Sequence, residues 1–203
     1  MKLSFLVALM LPATLCLAMP VKAENPAHVQ QLLKTKQCQG CDLSGANLQG
    51  ANLAQADLSG ANLSGANLRE ANLFQANLTN TNLININLIN ANLFEANFTN
   101  SNLSNAELGD ANLCYINLNQ ANLKGANLTN ANLGVADLSN ANLSHANLSG
   151  ANLMDAKLNG VLLEKANLAG VNLKGASWDE GSLLGQMGLN NNDAIGAGQA
   201  IAK

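Results

Sequence analysis

The sequence of 203 residues is short of most things from which binding sites are built. Aromatic residues make up 3% of it, with one Trp and one Tyr, charged residues only 11%, and there are two His. That is too little aromatic and imidazole chemistry for a conventional ligand pocket. Lys and Arg number 10 against 13 Asp and Glu, so there is no basic excess with which to grip nucleic acid. The scarcity of charge also excludes a disordered polyelectrolyte. What is present is concentrated in three residue types: 38 Leu, 32 Ala and 34 Asn account for 104 residues. Asn is a poor helix interior and a poor strand residue unless its amide has a fixed partner. A repeat is therefore expected to place it.

Residues 1–23 differ from all that follows. Lys2 precedes an apolar run, Leu3 to Met19, broken only by Ser4, Pro12 and Thr14, and Val21-Lys22-Ala23 sets small residues at cleavage-type positions. The pattern reads as a secretory signal peptide; a membrane anchor is disfavoured because the run is short and contains Pro12. Leu15 is too large for the position before a lipidated cysteine, which argues against an anchor at Cys16. Loss of Lys2 and Lys22 takes the basic count from 10 to 8 against 13 acids, leaving a mildly acidic exported chain of net charge −5.

Cys38, Cys41 and Cys114 remain after the leader. In an oxidising compartment Cys38-Gln39-Gly40-Cys41 reads as a local structural disulfide, Gly40 supplying the flexibility of so tight a ring. The alternative, a redox-active pair, needs a strand-to-helix setting that is absent here. A zinc site is poorer still, since neither His28 nor His145 lies at ligand spacing from the cysteines, and neither metal nor cofactor is expected.

From Cys41 to Gly185 the chain repeats every five residues for 145 residues, or 29 units. The central residue is Leu in 27 units, with Phe98 and Trp178 as exceptions; Ala lies two residues earlier in 21 units, and Asn or Asp between them in 24. Apolar steps of two and then three suit neither an amphipathic helix nor a flat strand. On an extended chain, however, a step of two keeps both side chains on one face, and the extra residue lets the backbone turn a corner with that face still inward. The spacing predicts a coil of short extended sides, stacked at roughly 4.8 Å per turn.

The unit in Ala46-Asn47-Leu48-Gln49-Gly50 and Ala61-Asn62-Leu63-Ser64-Gly65 closely resembles the A(D/N)LXX consensus of the pentapeptide-repeat family, and the chain start is similar to its exported bacterial members, periplasmic or thylakoid-lumenal. The resemblance implies an all-β solenoid, a right-handed quadrilateral β-helix with about four units per coil and about seven coils in all. Residues 24–40 would form an N-terminal cap with a short helix after Pro26, residues 41–185 the β-helix, and residues 186–203 a C-terminal tail or weak cap. Thr81 and Ser101 would stack on one inward column and satisfy each other's hydroxyls, while the Asn rows would brace the corners. Cys114 would lie roughly 17 Å along the rod from Cys41, too far for a bridge.

With the interior committed to packing, function is expected on the outer faces. One column of small polar residues runs Ser59, Thr79, Thr99, Asn119, Ser139, Asn159 and Asp179; another runs Ala54, Phe74, Phe94, Cys114, Gly134, Met154 and Lys174. Phe74, Ile84, Ile89 and Phe94, with Tyr115 and Met154 nearby, suggest an apolar stripe and half-girdle that could meet a protein partner or a second copy, although scattered surface hydrophobics can also mean nothing. The leading reading is thus an exported, non-catalytic structural or protein-interaction module that binds neither nucleic acid nor, after leader cleavage, a membrane. Family members that mimic DNA and shield topoisomerase supply an alternative, but Asp42, Asp57, Glu70, Glu95, Asp110, Asp137 and Asp155 are sparse and spread over several faces. A polysaccharide- or ice-surface binder is a further alternative, which the mixed Ser/Thr/Asn column suits poorly.

Overall fold

The computed structural model describes residues 25–179. The leader assigned to residues 1–23, the last repeat units up to Gly185 and the tail assigned to residues 186–203 lie outside the described residues.

The described chain opens with a helix, α1 (Pro26–Thr35). Asn25 caps it by accepting hydrogen bonds from the Ala27 and His28 amides at 3.1 and 3.4 Å, and Pro26 occupies the first turn, where a missing N–H is no loss. Lys36 ends the helix at φ 61°, its amide returning to the Leu32 carbonyl at 2.9 Å. Leu32 is fully buried in the core of the rod and Val29 packs against that core. The Asp42 amide donates to His28 Nδ1 at 3.0 Å, tying helix to first coil.

From Gln37 onward every fifth residue forms a parallel bridge with the residue 20 positions later, from Gln37–Asp57 to Lys157–Ser177. Four units therefore make one coil, and the fold is the right-handed quadrilateral β-helix. The pairing starts one unit ahead of Cys41. Cys38 fills the inward place that Leu holds elsewhere and is fully buried, so the solenoid's phase is kept through a unit whose sequence, Lys36-Gln37-Cys38-Gln39-Gly40, hides it.

Each unit closes in a β-turn, as where the Ala61 amide donates to the Leu58 carbonyl at 3.0 Å. The third turn residue, every fifth position from Gly40 to Gly175, has φ between 54° and 72°, as a type II turn requires. That explains a bias the repeat count leaves open: 10 of these 28 positions are Gly, seven Asn and two Asp, the residues that tolerate this conformation. At Gly125 (φ 71°) a Cβ would also stand 2.6 Å from Asn105 Oδ1.

The Asn residues brace the corners in two directions. The Asn92 Oδ1 accepts from the Phe94 amide two residues on at 3.3 Å and from Asn112 Nδ2 of the next coil at 3.2 Å; Asn132, Asn152 and Asn172 continue the row at 3.0 and 2.8 Å. An amide suits this place because it accepts within its own unit and donates to the coil before. Inside, the stacked Leu and Ala are buried from Leu43 to Ala156 except for half-buried Ala51, and Phe98 is accommodated without exposure. Thr81 and Ser101 are buried too, but they do not pair as expected. The Thr81 hydroxyl reaches the Leu58 and Thr79 carbonyls at 3.2 and 3.3 Å, and Ser101 donates to the Phe98 carbonyl at 2.7 Å. Each hydroxyl finds backbone carbonyls instead, Thr81 one in the coil before it and one in the unit before its own, Ser101 one at its own corner.

Candidate interaction surface

The residue just after each central Leu points outward at a corner, and 20-residue spacing stacks these into columns. The Phe74 and Phe94 rings lie 6.0 Å apart between centroids with planes 17° from parallel, an offset stack along the rod axis. Phe94 in turn meets Tyr115 at 5.4 Å and 53°. Tyr115 is not in the Phe column. It is the following residue, in the left-handed turn position at φ 59°, which swings its ring back toward Phe94. Met154 continues the same corner and is 38% exposed, with half-buried Cys114 and buried Gly134 between. Phe74 to Met154 spans four coils, roughly 19 Å.

Ile84 and Ile89 lie in the coil of Phe94 but at the two preceding corners, each half-buried between columns of small or polar residues, Ser64 and Ser104 for Ile84, Arg69 and Gly109 for Ile89. The register thus aligns Phe74, Phe94, Tyr115 and Met154 on one corner and leaves the two Ile on separate ones. Val135 was missed by reading the Phe column alone. It sits 20 residues after Tyr115, is 40% exposed, and holds φ at 60°. A β-branched residue there is strained by about 1–2 kcal/mol, and it is the only one at the left-handed corner among the described residues. Listing the second corner position at 20-residue spacing, Gln55, Gln75, Glu95, Tyr115, Val135, Asp155, would have shown the apolar pair in sequence. Above that pair the column is polar and self-paired: Gln55 Nε2 donates to Gln75 Oε1 at 3.1 Å and Gln75 Nε2 to Glu95 Oε2 at 2.6 Å.

Cys38 and Cys41 are joined as a disulfide with Cα atoms 5.2 Å apart, the two sulfurs replacing inward Leu and Ala of adjacent units, while the Cys114 thiol is free. Among the described residues no three His, Cys, Asp or Glu side chains converge for a metal, and no helix is long and apolar enough to cross a membrane.

Two of the acids are woven into the corner rows. Burial pushes the Asp57 carboxyl up, but the Ser59 amide and hydroxyl, Gln39 and Asn77 hydrogen-bond its charged form and hold it below the ordinary value. At Asp137 burial is outweighed in the same way by the Ser139 hydroxyl and amide and by the Lys157 ammonium 3.7 Å away. Both folded values lie below the unfolded ones, so the stability they contribute is present above pH about 4 and lost as pH falls through the lowered values. The thermal midpoint is expected to fall on acidification below about pH 4, and the double variant Asp57→Asn/Asp137→Asn to fall less steeply there, as calorimetry across pH would show.

Residues 37–75, 71–110, 106–144 and 136–175 match the family model described as pentapeptide repeats, in eight copies. Among solved structures, a pentapeptide repeat protein (Rfr23) from the cyanobacterium Cyanothece 51142 is 31% identical over 76% of this chain and 95% of its own, with a TM-score of 0.31. A pentapeptide repeat protein from the Arabidopsis thaliana thylakoid lumen is 21% identical over 74% of each chain, with a TM-score of 0.28. QnrB1, a plasmid-mediated fluoroquinolone resistance protein, is 22% identical over 75% of this chain and 85% of its own, with a TM-score of 0.43. Nothing among the curated proteins matches the chain.

Proposed function

Because the chain belongs to the pentapeptide repeat family, we propose that it is an exported, non-catalytic module that binds a protein partner, or a second copy of itself, through the corner running from Phe74 to Met154. The observation that carries this reading is the juxtaposition of Phe94, Tyr115 and Val135. In a chain with 3% aromatic residues, three of the six rings share one corner, and a strained Val extends it where Gly or Asn would be unstrained. Aromatic side chains anchored on a rigid element are what binding hot spots are made of. Export to the periplasm or the thylakoid lumen is supported by residues 1–23 and by the Cys38–Cys41 bridge, which suits an oxidising compartment. Catalysis has no place to occur in an interior filled by Leu and Ala. Topoisomerase shielding by DNA mimicry gains nothing from the acids, of which Asp57 and Asp137 are engaged in the corner rows.

The double variant Phe94→Ser/Tyr115→Ser tests this. Both rings lie outside the core, so far-UV circular dichroism and the thermal midpoint are expected to stay close to wild type. Self-association in sedimentation, or capture of the partner from the exported fraction, is expected to fall at least about tenfold, the loss of one modest hot spot. Unchanged association and unchanged capture would contradict the assignment.

A further inference from the structure

Resting on the proposed protein-binding role of the corner from Phe74 to Met154, we infer that its occupant is a second copy of the chain, docked antiparallel about a twofold axis that passes Cys114. The order of side chains along this corner is complementary to its own reverse. In a twofold contact the same patch serves both copies, so that if one residue meets a second residue of the other copy, the second also meets the first.

The corner presents two adjacent columns, each adding one residue per coil at a spacing of roughly 4.8 Å. Phe74, Phe94, Cys114, Gly134 and Met154 follow one another at 20-residue steps, so Cys114, with its free thiol, is the midpoint. Beside it lies Tyr115, at 54% the most exposed large apolar side chain of the described residues, where a central anchor is wanted. Reversing the column on this midpoint sets Phe94 of each copy opposite Gly134 of the other. The ring then meets the one position of the stretch that has no side chain. Gly134 is itself buried, but the place its Cβ would take has no atom nearer than 3.4 Å, so the column dips there and nothing fills the dip.

The next pair outward sets Phe74 opposite Met154, a thioether against an aromatic ring. Beyond it, long Lys174 falls opposite short Ala54. In the left-handed column the same reversal brings Asp155 opposite Gln75, whose amide can donate to a carboxylate. Glu95 falls opposite Val135, and it does not arrive unpartnered, because Gln75 Nε2 of its own chain donates to it at 2.6 Å.

Other placements fail on the same residues. Parallel copies facing across the Phe column set Gly134 on Gly134 and Lys174 on Lys174, a gap and a like-charge pair. Parallel copies offset by one column lay Glu95 on Phe94 and Asp155 on Met154, which desolvates carboxylates against apolar groups. An antiparallel axis moved by one coil leaves either Phe74 or Met154 uncovered. The strip is one corner wide and roughly 19 Å long, well short of the ~800 Å² per partner of a standard interface. The contact is therefore weak and concentration-dependent.

Directed cross-linking of the purified full chain with peptide mass mapping tests the pairing. In a Cys114→Ser background, Gln75→Cys and Asp155→Cys each place one thiol at an exposed position, and antiparallel docking brings the two positions together. When the two variants are mixed under oxidised glutathione, links between positions 75 and 155 are expected to exceed 75–75 and 155–155 links at least about tenfold, equivalent to ~1.4 kcal/mol. Gly134→Leu is accepted by the rod, since Gly134 is outside the left-handed region and has room for a Cβ. It fills the dip and is expected to weaken self-association in sedimentation at least about tenfold, with the thermal midpoint near wild type. An excess of like-to-like links, a Gly134→Leu chain that associates as wild type does, or a wild-type chain still monomeric at about 1 mM would overturn the inference. A monomeric chain that captures another protein through Phe94 and Tyr115 would leave the binding role of the corner standing with a different occupant, whereas one that captures nothing would remove both.

Discussion

Leu113→Asn is expected to destabilise the rod by about 4 kcal/mol, and Leu162→Asn to stabilise it by up to about 1 kcal/mol, although the substitution is the same. Leu113 is a central residue, 1% exposed, stacked between Leu93 and Leu133. Replacing it forfeits about 2 kcal/mol of apolar burial and leaves an amide among Leu and Ala with too few partners, which adds about 2 kcal/mol more. Net stabilities of folded domains are only about 5–15 kcal/mol, so the midpoint in urea should move far, and in a solenoid the loss spreads through neighbouring coils. Leu162 carries the same side chain one residue out of phase. It lies in an Asn row, 49% exposed, bridged to Asn142. An amide there could donate to Asn142 Oδ1 and accept from the Glu164 amide, the two bonds that Asn92, Asn112 and Asn152 make in their row. Urea denaturation of the two variants checks the pair of signs.

Val135→Asn is expected to raise stability by about 1–2 kcal/mol, because Asn adopts the left-handed turn conformation that strains a β-branched side chain. Val135 is 40% exposed, so the rod's own packing repays that strain only in part. Strain kept at an exposed position is a mark of function rather than of folding. The same variant is therefore expected to weaken partner capture while the thermal midpoint rises. The opposite pairing, lower stability with capture intact, would make Val135 a structural residue.

The five-residue spacing made the fold legible, because steps of two and three permit only a turning extended chain, and the resemblance supplied the handedness and the four-sided coil. The disulfide was legible from Cys-x-x-Cys behind a leader-like first segment, but the start of the solenoid was not, because Cys38 in the Leu place and Lys36 in the Ala place erase the pattern while the backbone keeps it. The Thr81 and Ser101 pairing failed because each hydroxyl is satisfied by backbone carbonyls, Thr81 by those of Leu58 in the coil before and of Thr79, Ser101 by that of Phe98. Phe74 and Phe94 could be placed on one corner by counting twenties. That Tyr115 closes on Phe94, and that Val135 follows it, depends on the left-handed conformation of the second corner residue, which turns neighbours in sequence toward the same edge. Residue identity at that position reports mainly the Gly and Asn preference, so an apolar exception is visible only once the conformation is known.

In the proposed role, the aligned corner from Phe74 to Met154, and not the rod as such, is what a partner reads. One extra unit, Ala-Asn-Leu-Ser-Gly, inserted between Asn105 and Ala106 tests it directly. A whole unit preserves the phase of inward Leu and Ala, so the coil is expected to remain folded with its thermal midpoint near wild type. It also moves everything after Asn105 round by one corner, separating Tyr115, Val135 and Met154 from Phe74 and Phe94. The expected result is a folded rod that no longer captures its partner or self-associates; a folded rod that binds as well as wild type would contradict the proposed role of the corner.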